Sequence, residues 1–398
     1  MWNNWIVPLS ERRINRFATG SLFFVSGLCG SSWASRIPNI QQSLKLSDSA
    51  MGGVLMAAPV GLVLSLPVSG RLIEKKGSRT VVVYAGVTYA SVLLLLGLAP
   101  TAVLLILALF LFGFSGNILN IAMNTQAVEV ESIYGRTIMA SFHGLWSLAS
   151  FAGALTGTLM MGAAVSPFGH FLMIALVAAG IVGLSYPNLV RSAPAVDEVQ
   201  EAGEVREEVR RPFLVRPNRA LVFLGVLALF VMICEGAMAD WSGIYFKKIV
   251  KVDASFVGLG YAAFTCTMAF GRFVADAVVT RIGIKKVLQG SGILISLGLF
   301  LTISFPLLST AVIGLFLVGA GTSSVVPLVF STAGKSKTVS PGTALASIST
   351  ISFMGLLFGP PLIGFISGVS SLRIAFLFVS LLGLMISVMA TRMKSERP

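Results

Sequence analysis

Residues 102–124 read AVLLILALFLFGFSGNILNIAMN, and no charged residue interrupts them; none stands between Tyr84 and Glu129. A helix needs about 20 apolar residues, rising about 1.5 Å each, to cross the hydrocarbon core of a bilayer. This stretch is long and neutral enough to do so. Eleven more runs resemble it. The first six spans fall at roughly 17–35, 50–70, 80–98, 102–124, 137–163 and 168–189. The second six fall at roughly 219–241, 254–277, 286–304, 309–331, 343–367 and 372–391. The fold class read from this pattern is an all-α integral membrane protein of 12 transmembrane helices.

Composition supports the same solvent. Of 398 residues, 55% are hydrophobic and 11% charged, with a mean hydropathy of +0.89. Soluble domains carry about 25% charged residues. A net charge of +13 would suit a nucleic-acid partner only if the basic residues formed a patch. They sit instead in short clusters between apolar runs, as topogenic loops do, so no nucleic acid is expected. Cys29, Cys234 and Cys266 all lie in apolar segments without a CxxC neighbour and read as small core residues.

Between the two sets of spans, residues 190–217 carry six acids from Asp197 to Glu208, five arginines, and Pro194, Pro212 and Pro217. This reads as a solvated cytoplasmic linker. It divides an N-terminal six-helix bundle, 1–189, from a C-terminal one, 218–398. With the N-terminus inside, 22 Lys/Arg fall on inner segments and 6 on outer ones. That bias puts both termini in the cytoplasm of a bacterial inner membrane. The outer cluster Lys247, Lys248 and Lys251 is the one departure.

The halves repeat. Gly70 to Arg79 reads GRLIEKKGSR after span two, and Thr280 to Lys286 reads TRIGIKK after span eight. Gly77 and Gly283 differ by 206 positions, as do Gly153 and Gly359, and Gly30 and Gly236. Three landmarks in one register argue for a duplicated unit. Parallel repeats of this kind form transporters whose binding site lies near the midplane.

Twelve spans, a charged central linker and the Gly70–Arg79 loop resemble the major facilitator superfamily. The family motif after span two has an acid where Glu74 stands and a closing basic residue where Arg79 stands; Ser78 departs from it. A narrower resemblance is to the bacterial YbjJ-like branch. It rests on Trp33-Ala34-Ser35-Arg36-Ile37-Pro38, His143-Gly144-Leu145-Trp146-Ser147, Glu235-Gly236 with Asp240-Trp241, Gly271-Arg272-Phe273, and Gly359-Pro360-Pro361. The resemblance implies a transporter and no particular solute. Exporters of the superfamily carry a proline-containing motif in span five, and Ala149-Ser150-Phe151-Ala152-Gly153-Ala154 holds no proline.

Three acids lie inside hydrophobic segments: Glu235, Asp240 and Asp276. A charge at the centre of a membrane helix costs about 2.5–3.5 kcal/mol on insertion scales, so such groups should face a cavity or a partner. Glu235 lies about 24 Å into span seven at about 1.5 Å per residue. It is the candidate proton-coupling acid, with a fixed pairing to Arg36 as the structural alternative. Arg36 and Asp240 are the candidate extracellular gate. The alternative is an interfacial anchor with Trp33 and Trp241 in the aromatic belt.

Asn117, Asn120 and Asn124 share one face of span four. Asn117 and Asn120 are candidate substrate ligands, and interhelical hydrogen bonding is the other reading. His143, Trp146 and Ser147 share a face of span five. His143 can relay a proton, Trp146 can stack on a ring, and Ser147 can bind substrate; packing of a lone histidine is the alternative. Glu235 itself can also contact the solute. Arg272 and Asp276, four apart, form a candidate cytoplasmic gate with Glu74 and Arg79. Pro360-Pro361 should break or bend span eleven.

These features read as a secondary active transporter. It moves a small polar solute, sugar-like or a related metabolite, by alternating access with proton symport. A proton-antiport exporter of amphipathic compounds and a non-transporting sensor are the alternatives. No HExxH, GxSxG or GxxxxGK[ST] motif is present, so neither enzyme chemistry nor ATP drive is expected. No cofactor is implied. The expected partners are the solute, protons and lipid, with the chain a monomer.

Overall fold

A computed structural model describes residues 9–135, 138–191, 219–334 and 341–393. Among the described residues the structure is helical and holds no strand. The first half contains α1 (Leu9–Ser43), α2 (Asp48–Leu55), α3 (Ala57–Lys76), α4 (Ser78–Leu98), α5 (Ala102–Tyr134), α6 (Met139–Gly162) and α7 (Pro167–Ser185). The second contains α8 (Arg219–Tyr245), α9 (Leu259–Ile282), α10 (Ile284–Ser304), α11 (Leu308–Thr322), α12 (Val325–Gly334), α13 (Pro341–Val369) and α14 (Leu372–Thr391). Spans two and ten are each divided, into α2–α3 and α11–α12. From residue 192 onward the expected linker lies outside the described residues.

Eleven helical stretches among the described residues are long and apolar enough to cross a membrane, against twelve expected. The shortfall is span one. At 35 residues α1 has ample length, but Arg12, Arg13, Arg16, Arg36 and seven serines lower its hydropathy. Elsewhere large apolar side chains point outward, Leu184 at 79% exposure and Phe270 at 67% among them. Surface of this kind suits lipid rather than water.

Contacts sort the chain into two compact units. One gathers Met1–Trp33, Ala57–Gly153 and Val165–Arg206, as far as these are described. The other gathers Ala34–Met56, Ala154–Ala164 and Glu207–Pro398. In the first, α5 packs on α3 and α4, and α4 on α7. In the second, α8 packs on α13, α10 on α11 and α14, α9 on α11, and α2 on α13.

The repeat is visible in backbone geometry inside each unit. Gly77 caps α4 at φ 74°, ψ 151°, and Gly283 caps α10 at φ 82°, ψ 154°. That region is open essentially to glycine alone. On α5, a Cβ at Gly113 would run into the carbonyl of Ala58; on α11, one at Gly319 would run into the carbonyl of Phe264. Both members of each contact are 206 residues apart from their counterparts. The duplicated glycines therefore set how closely α3 approaches α5 and α9 approaches α11, as small residues do in membrane bundles.

Pro360 and Pro361 do not break span eleven, because α13 runs through them. The local loss of ladder hydrogen bonds coincides with a seat for α2. A Cβ on Gly52 would stand 2.9 Å from the Pro360 carbonyl oxygen, and one on Gly364 would stand 2.7 Å from the Asp48 carbonyl oxygen. The α2 helix begins at Ser47, whose hydroxyl accepts from the Ala50 N–H at 3.2 Å, an ordinary N-cap.

Candidate functional site

The second unit contains the buried charges. Glu235 lies on α8 with its Oε1 buried and without a hydrogen-bond partner among the described residues. Arg272, on α9, acts on it electrostatically, and its Nη2 also lies 3.8 Å from Met268 Sδ. The two helices are joined by the loop around Ala254–Phe256. Arg272 thus acts on Glu235 through its charge, without an ion pair between them. Asp276 lies on α9, and its side chain is outside what the structure describes, so the expected pair with Arg272 is not assessed.

Arg36 is 1% exposed within α1. The helix passes through Pro38 and ends seven residues beyond Arg36, at Ser43. Asp240, partly buried on α8, makes no ion pair or hydrogen bond among the described residues. Arg36 and Asp240 are therefore not brought together as a gate. Trp33, at 6%, and Trp241, at 0%, are core residues, which overturns the reading of them as interfacial anchors.

The polar link at this end runs through Asp48, which hydropathy passes over as a loop residue. Its Oδ1 accepts from Lys248 Nζ at 2.5 Å and from Gln41 Nε2 at 2.8 Å, and its Oδ2 accepts from Ser367 Oγ at 2.7 Å. Ser49 Oγ donates to the Gly364 carbonyl at 3.2 Å, and Lys247 Nζ to Gln42 Oε1. Side chains from α1, α2, α13 and the end of α8 converge there. The Lys247–Lys251 departure from charge bias was the sequence signal for it.

In the first unit, Asn117 Nδ2 donates to Ser65 Oγ at 2.8 Å and to the Leu62 carbonyl at 3.3 Å, joining α5 to α3. Asn124 Nδ2 donates to Asn120 Oδ1 at 2.9 Å, and Asn120 is exposed. Ser147 is buried and its hydroxyl donates to the His143 carbonyl at 3.1 Å. The exposed His143 ring meets Phe23 edge-on at 5.3 Å. Trp146 is partly buried, and its carbonyl accepts from Ser150 Oγ at 3.0 Å. Asn117 and Ser147 thus bond within the protein at buried or part-buried positions, while Asn120 and His143 are exposed.

Glu74 is exposed at the end of α3. Arg79 leaves α4 to donate to the Tyr186 carbonyl, from Nε at 3.2 Å and Nη2 at 3.0 Å, with its guanidinium 4.5 Å from the Tyr186 ring centre. The same region holds a cluster the sequence reading missed. Gln126, fully buried, donates to Ser78 Oγ at 2.7 Å, Glu129 Oε2 at 3.0 Å and the Val190 carbonyl at 3.0 Å. It also accepts from the Val190 N–H at 3.0 Å. Among the described residues no group of three His, Cys, Asp or Glu could hold a metal.

Buried charges inside a helical bundle with an apolar exterior fit a membrane transporter. The chain belongs to the major facilitator superfamily, whose family model matches residues 19–249 and 228–398. It is 34% identical over 373 residues to an uncharacterized MFS-type transporter of Yersinia pestis, with 94% of each chain covered. It is 29% identical over 394 residues to membrane protein MosC of Rhizobium meliloti, covering 97% of this chain and 93% of that one. Among solved structures, a mutant of the nucleoside transporter NupG superposes with a TM-score of 0.76 at 12% identity, over 95% of this chain and 99% of NupG. At that identity the likeness is one of fold.

Proposed function

We propose that the protein is a secondary active transporter that imports a small polar solute, sugar-like or a related metabolite, by proton symport. In this reading the halves 1–189 and 218–398 rock around a central solute in a bacterial inner membrane, with both termini cytoplasmic. Glu235 carries the proton, and Arg272 answers its charge. The observation that carries the reading is the Glu235 carboxyl: one buried oxygen lacks a hydrogen bond, and the charge of Arg272 on α9 acts on it. Retaining such a group in a membrane helix costs about 2.5–3.5 kcal/mol on insertion scales, and reversible protonation gives that cost a use. Asn120 and His143, both exposed, are the candidate solute contacts in the other half.

The test begins with a thermal-shift screen of sugars, sugar acids and nucleosides on purified protein. Uptake of a hit is then measured in proteoliposomes, with and without an inward proton gradient. Glu235→Gln should abolish gradient-driven accumulation and leave counterflow within a few-fold. Accumulation by Glu235→Gln at the wild-type level rejects proton coupling through this residue.

A further inference from the structure

Two of the lysines that depart from the charge bias, Lys247 and Lys248, line a cavity together with Lys45. Its volume is about 400 Å³, and its lining includes Pro38, Gln41, Gln42, Lys45, Lys247 and Lys248. Small-molecule sites run from about 300 to 1,000 Å³, so it can take a solute of monosaccharide size. All of these residues belong to one compact unit.

Three ammonium groups sit on one small concavity. Lys248 is engaged by Asp48 and Lys247 by Gln42. The exposed Lys45 side chain has no hydrogen bond or ion pair among the described residues. Its backbone stands at φ 52°, fixed by its N–H bonding the Gln42 carbonyl at 3.1 Å while the Leu46 N–H bonds the Gln41 carbonyl at 3.0 Å. That turn returns the chain over the end of α1 and holds Lys45 at the cavity. A positive charge at the C-terminal end of α1 and of α8 offsets each helix dipole. The dipoles do not account for a concavity lined by both ends together, nor for the two glutamine amides within it.

Like charges gathered around one cavity repel, and a bound anion relieves that repulsion. Ammonium groups act on carboxylate or phosphate as point charges, while the amides can serve hydroxyl groups. We propose that this cavity binds a small hydroxylated anion, a monosaccharide-sized carboxylate or phosphate, and captures the solute before transport. The capture step rests on the transport reading; the binding site does not.

The test is calorimetric titration of the full chain in phosphatidylcholine nanodiscs with gluconate, glucose 6-phosphate and glucose. At least one anion should bind ten-fold or more tighter than glucose. Lys45→Gln and Lys247→Gln should each weaken that anion five- to ten-fold, and Lys45→Arg should keep it within about three-fold. Lys251→Gln removes a charge from the same loop but not from the cavity lining, and should change affinity less than two-fold. Unliganded melting temperatures of the variants should match the wild type. Equal binding of glucose, absence of anion binding, or an equal effect of Lys251→Gln overturns the site. Repeating the titration with one-third phosphatidylglycerol should leave affinity unchanged; a ten-fold loss there assigns the cavity to lipid headgroups and overturns the solute. Anion binding without counterflow rejects transport and leaves the site standing. Counterflow of glucose without anion binding does the reverse.

Discussion

Lys248 Nζ lies 2.5 Å from Asp48 Oδ1, joining residues 200 positions apart at one end of the second unit. The ion pair is partly open, with the Lys248 side chain 44% exposed and that of Asp48 14%. Solvent screening limits such a pair to about 1 kcal/mol or less. Asp48 also serves Gln41 and Ser367, and losing it leaves those donors without their acceptor. Asp48→Ala should therefore lower stability by about 1–3 kcal/mol, clearly more than Lys248→Ala. Melting temperatures in one detergent check the order; equal effects would mean that the lysine contact alone matters.

Gln42 and Lys247 touch across the cavity mouth. If this end separates during transport, a thiol cross-linker between Gln42→Cys and Lys247→Cys should stop uptake in proteoliposomes, and each single cysteine should not. Full activity of the cross-linked double variant would place the moving elements elsewhere.

The charge of Arg272, on α9, acts on Glu235 on α8. Removing the cation leaves a buried carboxylate uncompensated, which burial makes expensive. Arg272→Gln should lower gradient-driven accumulation ten-fold or more while sparing counterflow, and Arg272→Lys should restore much of it. Equal loss of accumulation and counterflow would indicate a packing role instead.

Gly113 and Gly319 meet carbonyl groups of the adjacent helix, whereas nothing lies within 4 Å of a Cβ at Gly180. Gly113→Ala and Gly319→Ala should each cost about 1–3 kcal/mol through overpacking. Gly180→Ala on α7 should cost nothing and can gain up to about 1 kcal/mol of helix propensity. Thermal melting of the three variants checks this, and a neutral Gly113→Ala would show that α3 and α5 can separate freely.

Most of the fold was legible because lipid makes hydropathy decisive: the run 372–391 became α14 with the same bounds, and the run 102–124 became α5, which continues ten residues further to Tyr134. Gly77 and Gly283 were legible as a repeat because one backbone shape requires glycine at both. Span one became α1, whose serines and arginines leave it less apolar than the other spans. Trp33 and Trp241 were misread because an interfacial tryptophan and a buried one look alike in sequence. Asp48 and Gln126 were missed for another reason. Their partners lie as far as 319 and 64 residues away, and no local pattern encodes such meetings. Glu235 and Arg272 were each visible as charges within spans, but the electrostatic influence of one on the other across α8 and α9 was not.

The amide of Gln126 grips the main chain of Val190 on both sides, giving to its carbonyl and taking from its N–H. The polypeptide leaving α7 is thus moored to α5, and through Ser78 to the first turn of α4. Movement passed along the chain to Val190 therefore reaches α5 at Gln126 and α4 at its first turn. The tether between the halves has a fixed anchor point rather than a slack one.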